Sequence, residues 1–316
     1  MRLPLAFILI TTMIDSMGIG LILPVMPALL REIGDIPLSD AALWGGVLMT
    51  AFAAMQFIFG PVVGALSDRF GRRPVLLTAL FVMALDYIVM AVAQTFWLLF
   101  IGRIVGGITA ATQSTASAFM ADISKPEERA ARFGLIGASF GIGFVLGPML
   151  GGLLAEFGTR APFLAAAGLA AANMVFGYFV MPETVTQENR RPLTWQRANP
   201  LGAFLNVGLN PHLRRLLILF FVYQVAFTVY PAIWAYFTEA RFGWGPGMIG
   251  LSLGAFGVAM ALVQGGLIRV ILRLLGERGT IAYGIIFNFC AFLVLAFVTS
   301  GTVALMFIPL TALGAV

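Results

Sequence analysis

Apolar runs of roughly membrane-spanning length follow one another along the chain, separated by short polar breaks. About 20 consecutive apolar residues, wound as a helix, cross the hydrocarbon core of a bilayer. The runs predict ten helices, near 5–28, 43–66, 73–93, 97–121, 132–156, 162–181, 214–237, 248–271, 280–299 and 302–316. The last run reaches Val316 with no polar cap, so the expectation is a chain truncated inside a span. One break is longer than the rest. Residues 182–213 are polar and divide the chain into a six-helix bundle at 1–181 and an incomplete second bundle at 214–316. Two helical halves joined by one long connection are a common transporter layout. The expected class is an all-α integral membrane protein.

Composition agrees. Of 316 residues, 60% are hydrophobic and 10% charged, far from a soluble domain. The net charge is +5, but the basic residues sit in the breaks between apolar runs, which argues against a nucleic-acid partner. A lone cysteine, Cys290, excludes an internal disulfide and a cysteine metal cluster. The sole histidine, His212, lies in the polar connection, and neither a nucleophile–base set nor a cofactor motif accompanies it. No enzyme is expected. Asp15 interrupts the first apolar run and no A-x-A-like site follows, which speaks against a cleaved signal peptide.

The basic residues also set an orientation. With the N-terminus in the cytoplasm, that side carries Arg2, the Arg69–Arg73 loop, Lys125, Arg129, Arg132, Arg190, Arg191, Arg197, Arg214, Arg215, Arg269, Arg273 and Arg278. The other side carries Arg31, Arg160 and Arg241 alone. The excess of Lys and Arg marks the cytoplasmic face.

The break Gly64-Ala-Leu-Ser-Asp68-Arg69-Phe-Gly71-Arg72-Arg73-Pro74 is dense in charge. Gly64 and Gly71 permit close packing and a turn. Asp68 can accept from the amides that open the next helix, or pair with a neighbouring arginine. Arg103, within Gly102-Arg-Ile-Val-Gly106-Gly107, lies inside a span, where a charge costs about 2.5–3.5 kcal/mol and must find a partner. Gly143, Gly147 and Gly151 recur every fourth residue and share one helix face, and Pro148 removes one backbone bond and permits a bend. Asp122 closes the fourth span.

These stretches resemble the signatures of the major facilitator superfamily. The resemblance implies that the Gly64–Pro74 loop and Asp122 form a cytoplasmic latch, with Asp122 near Arg72 or Arg73. It implies a role in proton coupling for Arg103. It makes the Gly143–Gly152 stretch an exporter-type helix motif, with Gly143, Gly147, Pro148 and Gly151 in gating. Asp15 in span one, Asp86 in span three and the stretch Pro231-Ala-Ile-Trp234 to Trp244 further resemble the tetracycline/H⁺ antiporter branch. That branch carries an acid in span nine, where this chain has Asn288, an amide that binds a ligand but carries no proton.

Asp15, Asp86 and Arg103 are thus expected to couple protons. Gln56, Gln113, Gln224 and Asn288 would supply uncharged contacts to the substrate. The implied function is proton-coupled efflux of a tetracycline-like drug across the inner membrane. A proton-coupled exporter of another drug or metabolite, or an uncoupled facilitator, are the alternatives. The implied partners are a small molecule, protons and the lipid bilayer. No cofactor or metal is expected beyond the proton gradient, although a divalent-cation–drug complex fits as cargo.

Overall fold

A computed structural model describes residues 2–110, 112–187, 190–194, 198–200 and 211–314. Arg197 and residues 201–210 of the central connection lie outside the described residues, as does Val316. No strand occurs among the described residues. Among the described residues, eight helical runs are long and apolar enough to cross a membrane.

The first predicted span is shorter than its apolar run. Helix α1 covers Arg2–Ile22 and a turn separates it from α2, Met26–Gly34. Pro24 sits in that turn; it has no N–H to give the helix. Pro27 lies in the first turn of α2, where that deficit costs nothing. Helix α3, Leu38–Phe70, and α4, Arg72–Val92, meet at Gly71, whose φ of 113° suits glycine.

The fourth predicted span is one run, Phe96–Asp122, described as α5, Phe96–Thr109, and α6, Thr112–Asp122, on either side of residue 111, which lies outside the described residues. Helices α7, Arg129–Ala155, and α8, Ala161–Val180, follow as expected, and α7 runs on through Pro148. Helix α9 spans Pro211–Phe242. Helix α10, Pro246–Leu262, leads through a π-helical turn at Val263–Leu267 into α11, Ile268–Phe297. Predicted spans eight and nine are two helices that meet directly at a kink, where Gly276 takes φ 67° and ψ 176°. No polar loop of any length separates them. Helix α12 covers Gly301–Thr311.

Buried apolar residues fall into two clusters. One gathers α1 to α8 around Phe7, Leu80, Leu99, Phe119 and Phe163. The other gathers α9 to α12 around Trp234, Trp244, Ile249 and Ile308. Helix α8 covers the seam between α1 and α4, and α7 lies between α1 and α10.

Candidate functional site

Three helices bring the charged intramembrane residues to one place. Asp15 of α1, Asp86 of α4 and Arg103 of α5 line a cavity of about 90 Å³ with Gln56, Tyr87 and Gln113. The glycines around Arg103 have a local purpose. A Cβ on Gly102 would stand 2.9 Å from Asp86 Oδ1, and one on Gly106 would stand 2.6 Å from Asp86 Oδ2. Their hydrogens make the seat for the Asp86 carboxylate. Arg103 Nη2 lies 3.7 Å from Asp86 Oδ2, and both side chains are buried. The guanidinium also stacks over the Phe52 ring, 5.2 Å from its centre, and donates to the Met90 sulfur.

Asp15 is held from another side. The Thr112 hydroxyl of α6 donates to Asp15 Oδ2 at 2.7 Å. Just before the described part of α6, the carbonyl of Ala110 accepts from Gln56 Nε2 at 3.3 Å. Residues on both sides of position 111 thus reach the site, Ala110 through its carbonyl and Thr112 through its hydroxyl. Asp15 Oδ1, Asp86 Oδ1 and Arg103 Nε are buried and meet no partner among the described residues. Each such atom costs about 1–3 kcal/mol, so this cluster sits at the expense of stability, as binding sites do.

A second polar cluster lies at the end of the bundle that bears the Gly64–Pro74 loop. Arg72 Nη1 pairs with Asp68 Oδ1 at 2.5 Å and donates to the Ser67 hydroxyl at 2.6 Å. Arg72 Nε reaches Asp122 Oδ2 at 3.3 Å, which also accepts from the Thr184 hydroxyl at 3.0 Å. Asp68 does not cap α4. Glu183, beyond the end of α8, accepts from the amides of Arg72 at 2.9 Å and Arg73 at 3.2 Å. A carboxylate there answers the positive end of the helix dipole. Arg73 turns back to donate to the Tyr178 carbonyl at 2.7 Å, and Arg69 lies over the Phe70 ring. Gly64 faces Ser114 of α6.

Helix α7 carries two glycine-dependent faces. Gly143, Gly147 and Gly151 lie against the backbone of α1 at Met13, Met17 and Leu21. On the other side, Gly250, Gly254 and Gly257 of α10 receive Pro148, Met149 and Val145. At the end opposite the loop the two clusters of helices touch. Gly152 meets Gly250, Arg31 Nη1 pairs with Glu239 Oε1 at 2.6 Å, and the Tyr236 ring lies against Gly45. Toward the loop end α7 and α10 part around a groove of about 640 Å³, lined by Gly137, Gly141, Leu146, Val258 and Gln264.

Comparison with known proteins agrees with this architecture. The family model described as Major Facilitator Superfamily matches residues 8–316. The chain belongs to that superfamily. Within it, the transporter is 44% identical over 313 residues to the class C tetracycline resistance protein of Escherichia coli, covering 99% of this chain and 78% of the relative. It is 38% identical to the class E protein of Escherichia coli, over 98% of this chain and 76% of the relative. The crystal structure of the human organic anion transporter MFSD10 superposes with a TM-score of 0.74 at 28% identity, covering 99% of this chain and 83% of that one.

Five of the sequence-derived binding or coupling residues of the transporter meet in one cavity: Asp15, Gln56, Asp86, Arg103 and Gln113. Gln224 and Asn288 do not join them. Gln224 is exposed on α9. Asn288 Nδ2 donates to the Gly314 carbonyl at 3.0 Å and lines a separate apolar cavity of about 190 Å³ with Tyr223, Tyr230 and Phe292. That cavity lies in the seam between α9 and α11. The matching seam of the first cluster, between α1 and α4, is filled by α8. Thr112, Tyr87, Phe52, Glu183 and Thr184 are contacts that the sequence reading missed. A single hydroxyl inside an apolar span carries no pattern of its own. The Gly250-x₃-Gly254-x₂-Gly257 spacing did carry one, of the same kind as the stripe on α7.

Proposed function

We propose that this transporter exports a tetracycline-like drug across the bacterial inner membrane in exchange for protons, with its N-terminus in the cytoplasm. The observation that carries the reading is the cavity that joins Asp15, Asp86 and Arg103 between α1, α4 and α5. Two acids and one arginine inside a bilayer are costly, and such groups mark ion and substrate paths. A proton arriving at either carboxylate cancels its charge. The carboxyl then releases its hold on Arg103 or on a cationic part of the cargo, and the site changes its preference between drug and proton.

Alternating access follows from the two ends. Contacts at Arg31–Glu239, Tyr236–Gly45 and Gly152–Gly250 close one end, which the basic loops assign to the periplasm. The groove between α7 and α10 widens toward the cytoplasm. The bundle at 1–181 and the helices of 214–316 would rock about the α7–α10 contact, with the Arg72, Asp68 and Asp122 cluster holding the cytoplasmic end of the first bundle together as it moves. The cargo would be the drug alone or its divalent-cation complex. Asn288, neutral and tied to the turn after α12, favours a second reading in which the cargo is another drug or metabolite exchanged by the same coupling.

Everted membrane vesicles test this. Tetracycline added to vesicles holding the protein should move protons, and Asp15→Asn with Asp86→Asn should abolish that movement. Proton movement that survives both substitutions would falsify the coupling. Tetracycline flux that persists unchanged after the gradient is collapsed would instead indicate a facilitator.

A further inference from the structure

Arg103 is held from two sides, and only one of them is an acid. Its guanidinium carbon lies 5.2 Å from the centre of the Phe52 ring, which comes from α3. That is inside the distance of about 6 Å over which an aromatic face attracts a cation. Asp86, from α4, is less close than its charge suggests. Arg103 Nη2 to Asp86 Oδ2 is 3.7 Å, longer than the roughly 2.7–2.9 Å of a charge-assisted hydrogen bond. The carboxylate attracts the arginine without bonding it, and Arg103 Nε is buried with no partner among the described residues. Each of the two sides has its own glycine on α5. A Cβ at Gly106 would stand 2.6 Å from Asp86 Oδ2 and 3.6 Å from Phe52 Cε2. A Cβ at Gly107 would collide with the Phe52 carbonyl and stand 2.8 Å from Met55 Cβ. Gly106 thus admits the acid, and Gly107 admits the stretch of α3 that carries the ring. Phe52 lines the same cavity as Asp15, Asp86 and Arg103.

We infer that Phe52 is a positioning residue for Arg103: its ring is a second seat for the guanidinium and keeps that cation in the cavity while Asp86 is neutral. Protonation of Asp86 removes the opposite charge that offsets a buried arginine, and an unpaired arginine inside a bilayer is costly. Among the described residues, Asp86 is the acid paired with Arg103. The ring carries no titratable group, so its attraction for the cation stays the same when the proton arrives. That attraction is also stronger in a desolvated site than at a surface. Arg103 therefore shifts its weight from the acid to the ring with little movement, and stays ready to draw the proton off again. The inference rests on the proton-coupled reading above. It adds where Arg103 is held at the step when Asp86 gains its proton.

Fluorine on the ring at position 52 tests this, because it drains charge from the aromatic face and leaves the size of the ring nearly unchanged. Phenylalanines bearing one, three or five fluorines, placed at 52 by stop-codon suppression, should lower gradient-driven tetracycline accumulation in everted vesicles step by step. With five fluorines accumulation should fall about tenfold, the size of one desolvated cation–π contact. Exchange of labelled for unlabelled tetracycline with no gradient should stay at the parental rate. Thermal unfolding in detergent gives a readout apart from transport. Phe52→Leu should lower the midpoint further in Asp86→Asn than in the parent, because the ring then holds the arginine without the acid, a non-additivity that packing alone does not produce. Accumulation equal across the fluorine series, exchange that falls in step with accumulation, or equal midpoint losses in the two backgrounds would each overturn the second seat. If Asp15→Asn with Asp86→Asn still abolishes proton movement in that case, the coupled reading stands without it. Proton movement that survives both Asp substitutions would overturn the two together.

Discussion

Alanine placed at successive glycines of α7 should change stability in opposite directions on opposite faces of one helix. At Gly147 a Cβ would stand 2.5 Å from the Met17 carbonyl oxygen and 2.9 Å from Gly20 Cα. Both are backbone atoms of α1, so no side chain can rotate away. Restoring an ordinary 3.4 Å contact to Gly20 needs the helices to part by about 0.5 Å. Close-packed interiors resist that, and overpacking of this kind costs about 1–3 kcal/mol. Gly137 and Gly141 lie on the same helix with nothing within 4 Å of the added carbon. There alanine should only improve helix propensity, by about 0.8–1.0 kcal/mol. The comparison between Gly147→Ala and Gly141→Ala cancels that propensity gain and isolates the steric term. Thermal unfolding in detergent, followed by the fluorescence of the five tryptophans at one scan rate, reads it. Gly141→Ala should melt above the parent. Gly147→Ala should melt below Gly141→Ala by the equivalent of about 1–3 kcal/mol. Equal midpoints for the two variants would refute the assignment of these faces.

Other consequences follow from the polar clusters. Glu183→Gln should weaken the start of α4 by up to about 1 kcal/mol, the usual worth of a cap or dipole partner, and hydrogen exchange at Arg72 and Arg73 should rise first. Arg72→Lys cannot reproduce the simultaneous reach to Asp68, Ser67 and Asp122, so loss of transport should match Asp122→Asn within a factor of a few in a drug-uptake assay. The Arg31–Glu239 pair is half exposed on the arginine side, so a double-mutant cycle should give less than about 1 kcal/mol of coupling in thermal stability. Cysteines at 31 and 239 should nevertheless cross-link in one conformation and lose the cross-link when the far end opens.

Much of the fold was written in the hydrophobic pattern because a bilayer allows few solutions. The termini of spans were less legible. Pro24 ended α1 six residues early, and Gly276 replaced a loop with a single left-handed residue. Both are local backbone effects that an apolar average hides. The charged site was legible because Asp15, Asp86 and Arg103 have no cheap explanation inside a membrane. Their partners were not. Thr112, Tyr87 and Glu183 are ordinary residues made specific only by the approach of α6 to Asp15, the notch at Gly18 and the close of α8 over the Gly71 turn. Gln224 and Asn288 show the converse: polar residues in apolar spans that face outward or a neighbouring carbonyl rather than the cavity.

In the proposed mechanism the Asp86–Arg103 pair, with Asp15, converts a proton gradient into drug movement. The most direct measurement compares two modes of tetracycline transport in everted vesicles bearing Asp86→Asn: accumulation driven by an imposed proton gradient, and exchange of labelled for unlabelled drug with no gradient. The account predicts that accumulation disappears while exchange continues, because the path remains and the coupling is gone. Gradient-driven accumulation at the parental rate in Asp86→Asn would contradict it.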